Sequence, residues 1–307
     1  MPLACVVVAL VAVLLVPAPA LAQAVFRSGI DLVSLGVTVT DRRGSLVSDL
    51  TIHDFEVLEA GTRQRLEYFA SGLADGEMRP ELHLGLLLDT SGSMVNEMHL
   101  ARTAAIKFLN RFEDADDMTL VDFDTEVRVA RYGQADFPRL VERIRSRKPD
   151  GWTALYDAIG VYLDGASTQD GRKILVLYTD GDDTRSNMTF SETIELLRAS
   201  DVTMYVVGLF GRRLPNPQER ARLSQLAEVT GGLAYFPAAA SQLDEVYDKI
   251  VEEVSARYTL GYRSSNRVED GAWRAVEIRL TRPDLQGAKI RARKGYFAPY
   301  RPASGLP

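Results

Sequence analysis

The chain has 307 residues, of which 46% are hydrophobic and 25% charged, a globular composition with material for one α/β domain of ordinary size and a smaller companion. A formal net charge of −6 excludes nucleic acid as the main partner, because a phosphate backbone needs a basic face. Cys5, the one cysteine, lies ahead of the first apolar run, whereas lipidation would require it after. Its loss with a leader excludes disulfides, thiolate metal sites and a cysteine nucleophile from the remainder.

Val6 to Leu15 is an unbroken apolar run, followed by Pro17, Pro19 and an Ala20-Leu21-Ala22 triplet that suits a small-x-small cleavage site. Residues 1–22 therefore read as a signal peptide and the protein as secreted or periplasmic. With no Lys or Arg ahead of the run, an uncleaved anchor is the alternative. From Ile30 to Ser71 the pattern is strand-like: Leu32, Val33, Leu35, Val37 and Val39 are apolar, and Asp41-Arg42-Arg43-Gly44 marks a turn. Phe55–Leu58 and Leu66–Phe69 flank Glu59-Ala60-Gly61-Thr62 and predict a hairpin. Ser71 to Pro80, with two glycines and a proline, completes an N-terminal β segment and linker over 23–80.

Strands and helices then alternate over 81–256. Leu84 to Leu88 is apolar without alternation, which suits a central parallel strand covered on both faces, and it stops at Asp89. Asn96 to Phe112 carries Met98, Ala101, Ala105, Phe108, Leu109 and Phe112 at helical spacing. Strands are predicted at 118–123 and 126–131, and helices at 137–146 and 153–163. A second buried strand, Ile174 to Tyr178, runs into Thr179-Asp180. Beyond it the pattern predicts a helix at 191–199, a strand at 202–209, a helix at 217–229, a short strand at 233–236 and a helix at 242–254. The fold class is α/β, a doubly wound and mostly parallel sheet with helices on both faces.

After Arg257 the strands return, at Tyr258–Tyr262, Ala275–Leu280 and Ala288–Arg293, before a polar tail from Pro299 to Pro307. Neither end has enough strands to bury a core alone. Residues 257–307 are therefore expected to pack with the N-terminal segment as a small β-sandwich-like domain, with the α/β domain inserted between its halves.

Asp89, Ser91 and Ser93 offer oxygen atoms at alternate positions of one tight turn, a donor set for a hard cation. One turn cannot complete a coordination shell, and two other segments supply matching groups. Asp180 ends the second apolar strand, and Thr153 opens a helix after Pro149-Asp150-Gly151-Trp152. If the strands bearing Asp89 and Asp180 are neighbours where strand order reverses, both carboxylates reach one crevice. Taken singly, each residue has a plainer use: Ser93 or Thr153 as a helix N-cap, and Asp180-Gly181 as a turn. Asp157 reads as a first-turn helix acid, Asp182 and Asp183 as rim charge, and Trp152 as a packed loop anchor in preference to an exposed contact residue beside Thr153. Arg212-Arg213 and Arg291, Arg293 and Lys294 read as solvated surface. His53, His83 and His99 show no metal-ligand spacing.

Asp89-x-Ser91-x-Ser93, Thr153 within Gly-Trp-Thr-Ala-Leu-Tyr-Asp-Ala-Ile, and Asp180 within Tyr-Thr-Asp-Gly resemble the von Willebrand factor type A domain over about Glu81 to Val254. They match its metal-ion-dependent adhesion site in identity and order. The flanks, Leu50-Thr51-x-x-Asp54-Phe55-Glu56-Val57 and Arg293-Lys294-Gly295-Tyr296, resemble more loosely the edges of secreted bacterial proteins built around such a domain. The resemblance implies a divalent cation, usually Mg2+, with Mn2+ or Ca2+ as alternatives. The hydroxyls of Ser91, Ser93 and Thr153 would hold it, with Asp89 and Asp180 binding directly or through water. Two carboxylates only neutralise such an ion, so an Asp or Glu carboxylate from a protein partner suits the remaining position. The function so implied is a secreted adhesion or complex-assembly module and not an enzyme. Two readings stay open beside it. Leu-Leu-Leu-Asp89-Thr90-Ser91-Gly92 also resembles the aspartic-protease loop, which needs a second aspartate copy and an all-β fold. The chain could also be a scaffold whose site is unused. No glycine-rich dinucleotide or phosphate-loop pattern occurs, so no nucleotide is expected.

Overall fold

The computed structural model describes residues 32–72, 81–112, 115–181, 183–211 and 216–300. The leader 1–22, most of the linker, Asp182, Arg212, Arg213 and the tail 301–307 lie outside the described residues. In chain order come β1 (Leu32–Thr40), β2 (Phe55–Glu59), β3 (Thr62–Gln64) and β4 (Leu66–Ser71). There follow β5 (Leu82–Asp89), α1 (Met98–Leu109), β6 (Asp117–Phe123), β7 (Val127–Gly133), α2 (Phe137–Ser146), α3 (Leu155–Ala166) and β8 (Arg172–Thr179). Then come α4 (Phe190–Ala199), β9 (Thr203–Gly208), α5 (Pro217–Glu228), β10 (Ala234–Tyr235) and α6 (Leu243–Ala256). The last strands are β11 (Tyr258–Arg263), β12 (Trp273–Leu280), β13 (Lys289–Arg291) and β14 (Gly295–Phe297).

The central sheet has the order β10-β9-β8-β5-β6-β7 and is parallel except for β7, which turns back on β6. Its unbroken apolar strands are buried on both faces, as a doubly covered sheet requires. Leu84, Leu86 and Leu88 of β5, with Ile174, Val176 and Tyr178 of β8, pack on Met98, Ala105, Phe108, Tyr247 and Ile250 of α1 and α6. The intervening Leu87, Leu175 and Leu177 pack with Leu155, Ile159, Ile194 and Leu223 of α3, α4 and α5. Gly85 breaks the apolar run for a steric reason: a Cβ there would stand 2.2 Å from the Tyr162 ring. β5 and β8 are neighbours, paired from Leu82↔Arg172 to Leu88↔Tyr178. The chain proceeds outward from β5 to β6 on one side and from β8 to β9 on the other, so strand order reverses between the strands that carry Asp89 and Asp180.

The flanking strands form two antiparallel sheets, β13-β1-β11-β4 and β14-β12-β2-β3, each mixing strands from both ends of the chain. β1 pairs with β11 from Leu32↔Arg263 to Val37↔Tyr258, and β2 with β12 from Phe55↔Leu280 to Glu59↔Val276. One core of Leu35, Val37, Phe55, Val57, Tyr258, Leu260 and Tyr262 lies among them.

Two expectations are corrected here, and one strand outside the predicted set is added. The hairpin after β2 closes on the three-residue β3 and not on Leu66–Phe69. Ala60 and Gly61 both have positive φ, 46° and 81°, the tight-turn geometry that returns the chain at once. The buried Gln64 side chain then bonds Ser265, and β4 crosses to the other sheet against β11. The added strand, Gly295–Phe297, is too short to show a period. The second correction is that Arg291 and Arg293 are not solvated. Arg291 pairs with Glu253 at 2.6 Å, and Arg293 donates to the Ser200 and Ser34 carbonyls at 3.1 and 2.7 Å.

Candidate metal centre

β5 ends in Asp89, which is 0% exposed, and the chain turns through a short 3-10 segment, Gly92–Val95, before α1. Asp89 Oδ1 accepts the Ser91 amide at 2.9 Å, and Oδ2 accepts the Thr179 hydroxyl of the neighbouring β8 at 2.6 Å. The Ser91 and Ser93 hydroxyls are 3.0 Å apart, and Ser93 donates to Asp180 Oδ1 at 2.8 Å. Asp89, Ser91, Ser93 and Asp180 thus form one cluster, with hydroxyls set between two carboxylates. The serines are not spent as helix caps: Ser91 stands at the N-cap of the 3-10 segment without a side-chain cap bond, and the Ser93 hydroxyl goes to Asp180.

Thr153 reaches the same place on a loop tied down by its backbone. Gly92 donates to the Gly151 carbonyl at 3.0 Å and Asp150 to the Thr90 carbonyl at 2.9 Å. Trp152 N–H donates to the Thr125 hydroxyl at 2.9 Å. Gly151 has φ +72°, and a Cβ would stand 2.4 Å from the Thr125 hydroxyl, so conformation and space both demand glycine. Thr153 N–H donates to the Thr184 hydroxyl, and its carbonyl accepts from Thr184 and Arg185. Ala154, not Thr153, holds the N-cap position of α3. Ser93, Thr153 and Asp180 line a cleft of about 960 Å³, with Trp152 and Glu97 on its wall.

Two neighbours depart from their sequence reading. Trp152 is 64% exposed and is not a packed anchor, because Thr125 and Gly151 fix the loop through its backbone. Asp183 is not rim charge. It accepts from the amides of Tyr156 and Ser186, while Asp157, in the first turn of α3, accepts from Asn187 and Met188. Together they lace the loop after β8 to the start of α3.

Burial pushes the Asp89 carboxyl up to about 6; the hydrogen bonds from Ser91 and Thr179 act against that shift, and the Asp180 charge adds to it. Among the described residues no cation pairs with Asp89. One strand away, Asp122 of β6 is also 0% exposed, but Arg128, Arg143 and Arg147 stand 2.7, 2.7 and 2.8 Å from it. The donors gathered around Asp89 are all oxygens, two carboxylates and neutral hydroxyls, which is the chemistry of a hard divalent cation. No group of three or more His, Cys, Asp or Glu with metal-holding geometry occurs among the described residues. Thr179 and Thr184 have no periodic signature in the sequence. Thr179 sits inside the Tyr-Thr-Asp-Gly segment, and only the pairing of β5 with β8 shows that its hydroxyl serves Asp89.

The family model of the von Willebrand factor type A domain matches residues 83–249. Among solved structures, the chain is similar to the PilB minor pilin from Streptococcus sanguinis with a TM-score of 0.50 and 13% identity, over 59% of this chain and 63% of that one. The chain therefore spans less than two thirds of that pilin. It is similar to a von Willebrand factor type A protein from Catenulispora acidiphila with a TM-score of 0.47 and 13% identity, over 84% of this chain and 76% of that one. A third likeness is to proximal thread matrix protein 1 from the mussel byssus, in a form whose MIDAS motif is occupied by zinc, with a TM-score of 0.45 and 19% identity over 60% of this chain and 48% of that one. No curated protein sequence matches the chain. At these identities the likenesses concern fold alone. The family match takes in more than half of the chain, and with the doubly wound sheet just described it makes this protein a member of the von Willebrand factor type A family.

Proposed function

We propose that this protein is a metal-dependent protein-binding module. Its residues Asp89, Ser91, Ser93, Thr153 and Asp180 hold Mg2+, with Mn2+ or Ca2+ as substitutes, and an Asp or Glu carboxylate of a protein partner enters through the cleft. The observation that carries this reading is the state of Asp89. It is a fully buried carboxylate, joined through two serine hydroxyls to a second carboxylate, and no cation of the described chain pairs with it. A buried negative charge of this kind is costly unless a positive charge meets it. The divalent ion supplies that charge when bound. The exposed Trp152 on the cleft wall offers apolar surface to a protein ligand.

The aspartic-protease reading is less well supported. It calls for an all-β fold, whereas Asp89 ends a parallel strand that leads into a helix. It also needs two carboxylates sharing a proton, and here the Ser93 hydroxyl lies on the path to Asp180. We further read 81–256 as one domain, 23–80 with 257–307 as a second, and 1–22 as an export signal that delivers the site to the periplasm or the exterior. No helix of the described residues is long and apolar enough to cross a membrane.

Calorimetry of EDTA-stripped protein titrated with Mg2+ and Mn2+ tests the central point, with saturable one-site binding as the expected result. Heat no greater than dilution in both titrations would leave the scaffold reading. Pull-downs of extracellular proteins with and without EDTA then identify the partner.

A further inference from the structure

We infer that the cleft between the helices α4 and α5 and the start of β12 is a binding site for an anionic sugar, a ring with hydroxyls and one carboxylate, as in a uronic acid. The cleft measures about 400 Å³, with Arg198, Gln225 and Glu228 on the α/β side and Trp273 and Lys294 on the side of the flanking strands. Its size falls within the range of small-molecule sites, about 300–1,000 Å³, which favour the seams between packed units. None of its lining residues lines the cleft at Asp180, and the inference does not rest on the metal reading.

Trp273 is 38% exposed but held in place. It pairs with Phe297 across β12 and β14, and the two rings meet edge to face, with centroids 5.0 Å apart and planes at 67°. On its other neighbour, Gly295, a Cβ would stand 2.5 Å from the indole, so the ring lies over the glycine where no side chain competes for the space. A fixed, partly exposed indole offers a flat apolar surface at little cost in side-chain entropy, which suits the C–H face of a sugar ring.

The polar groups around it are of both signs and unspent. Lys294 and Glu228 line one cleft from its two sides, yet among the described residues neither side chain forms an ion pair or a hydrogen bond, and the same holds for the Gln225 amide. Opposite charges that merely sealed a seam would pair across it. Arg198 gives one N–H to Glu195 at 2.7 Å and keeps further donors in its guanidinium fork. Arg293 also lines the cleft but donates to the Ser34 and Ser200 carbonyls. A simple anion would use Lys294 and Arg198 but meet repulsion from Glu228. A neutral sugar would use Glu228 and Gln225 but leave both cations without a counter-charge. A ligand whose hydroxyls donate to Glu228 and whose carboxylate accepts from Lys294 and Arg198 engages the whole set.

Trp273 emission in a Trp152→Phe background reads the site, with galacturonic acid and its trimer as probes in the presence of EDTA. The expected result is a saturable change with either probe, absent with a neutral maltotriose and with a triglutamate peptide. Lys294→Gln and Glu228→Gln, both at exposed positions, should each weaken the trimer by about tenfold. No saturable change at about 10 mM of either uronic probe would overturn the inference. An equal response to maltotriose would remove the role of the cations, and an equal response to triglutamate would remove that of the hydroxyls; each outcome counts against the site as stated. Calorimetry of the unsubstituted chain with the trimer gives the same answer without relying on any variant.

Discussion

Asp89 and Asp122 are both fully buried, and they stand at the same level of adjacent strands, with Leu88 of β5 paired to Asp122 of β6. Asp122 is completed by the chain itself, through three arginines within 2.8 Å. Asp89 receives an amide, a threonine hydroxyl and the nearness of a second carboxylate. A buried charge persists only if something of opposite sign or several donors meet it. Asp122 is therefore structural, and on the proposed reading the counter-charge of Asp89 comes from a bound cation. Lack of a cation is not sufficient for a metal site. Glu59 in the flanking sheets is also buried, yet it is satisfied by the hydroxyls of Tyr262, Tyr296 and Ser264, with no second carboxylate bonded into the group. It is the pair of carboxylates at a cleft that sets Asp89 apart.

Substitutions at the two aspartates should break this comparison most clearly. Asp89→Ala and Asp180→Ala are each expected to abolish measurable Mg2+ binding by calorimetry while the circular dichroism spectrum is retained, since each removes half of the charge that neutralises the ion. Asp122→Ala should do the reverse, lowering stability to urea by about 3 kcal/mol because three arginines lose their shared counter-charge. That figure is at the low end of the range for a broken buried pair, as the arginines remain 24–31% exposed. Undiminished Mg2+ affinity in Asp89→Ala would remove the site from this account.

The same contrast predicts a pH effect confined to the metal-free protein. The Asp89 carboxyl is raised from 3.8 to about 6 in the folded chain, so between those values the native state binds more protons than the unfolded one. Stability must then fall as pH rises through that window, by about 3 kcal/mol in total from this group, and a flatter profile is expected with saturating Mg2+. Asp89→Asn should flatten the metal-free profile as well. Urea midpoints at pH 4.5 and 7, with EDTA and with Mg2+, check it; a metal-free protein whose Asp89→Asn variant keeps the wild-type slope would assign the effect to other groups.

The central sheet was legible because β5, β8 and β9 are buried on both faces and so read as continuous apolar runs, separated by segments with helical spacing. The group around Asp89 was legible as a motif, through the identity and spacing of its side chains. What the sequence could not show were features decided by distant partners. Arg293 looks like any surface arginine until the Ser34 and Ser200 carbonyls, far apart in the chain, converge on it. Trp152 looks like a core residue, but its loop is anchored by backbone bonds that leave the ring outside. β4 was assigned to the nearest strand in sequence, whereas the turn at Ala60-Gly61 commits β2 to β3 and releases β4 to pair with β11.

Smaller effects sharpen the picture within the site. Ser93→Ala removes one neutral hydroxyl whose place a water can take, so Mg2+ affinity should fall by about 1 kcal/mol, roughly fivefold. Thr153→Ala should change it less still. Ser91, Ser93 and Asp180 are linked by direct hydrogen bonds, whereas Thr153 is held through its backbone to Thr184 and Arg185. Its hydroxyl is thus expected to matter chiefly when an outside carboxylate draws the loop onto the ion. The exposed Trp152 beside it provides the readout. In a Trp273→Phe background, Trp152 emission can be followed while a short aspartate-containing peptide is added at saturating Mg2+. Thr153→Ala should weaken the peptide several-fold and leave the Mg2+ titration within about twofold of wild type. Equal losses in both titrations would instead make Thr153 an ordinary ligand of the resting site.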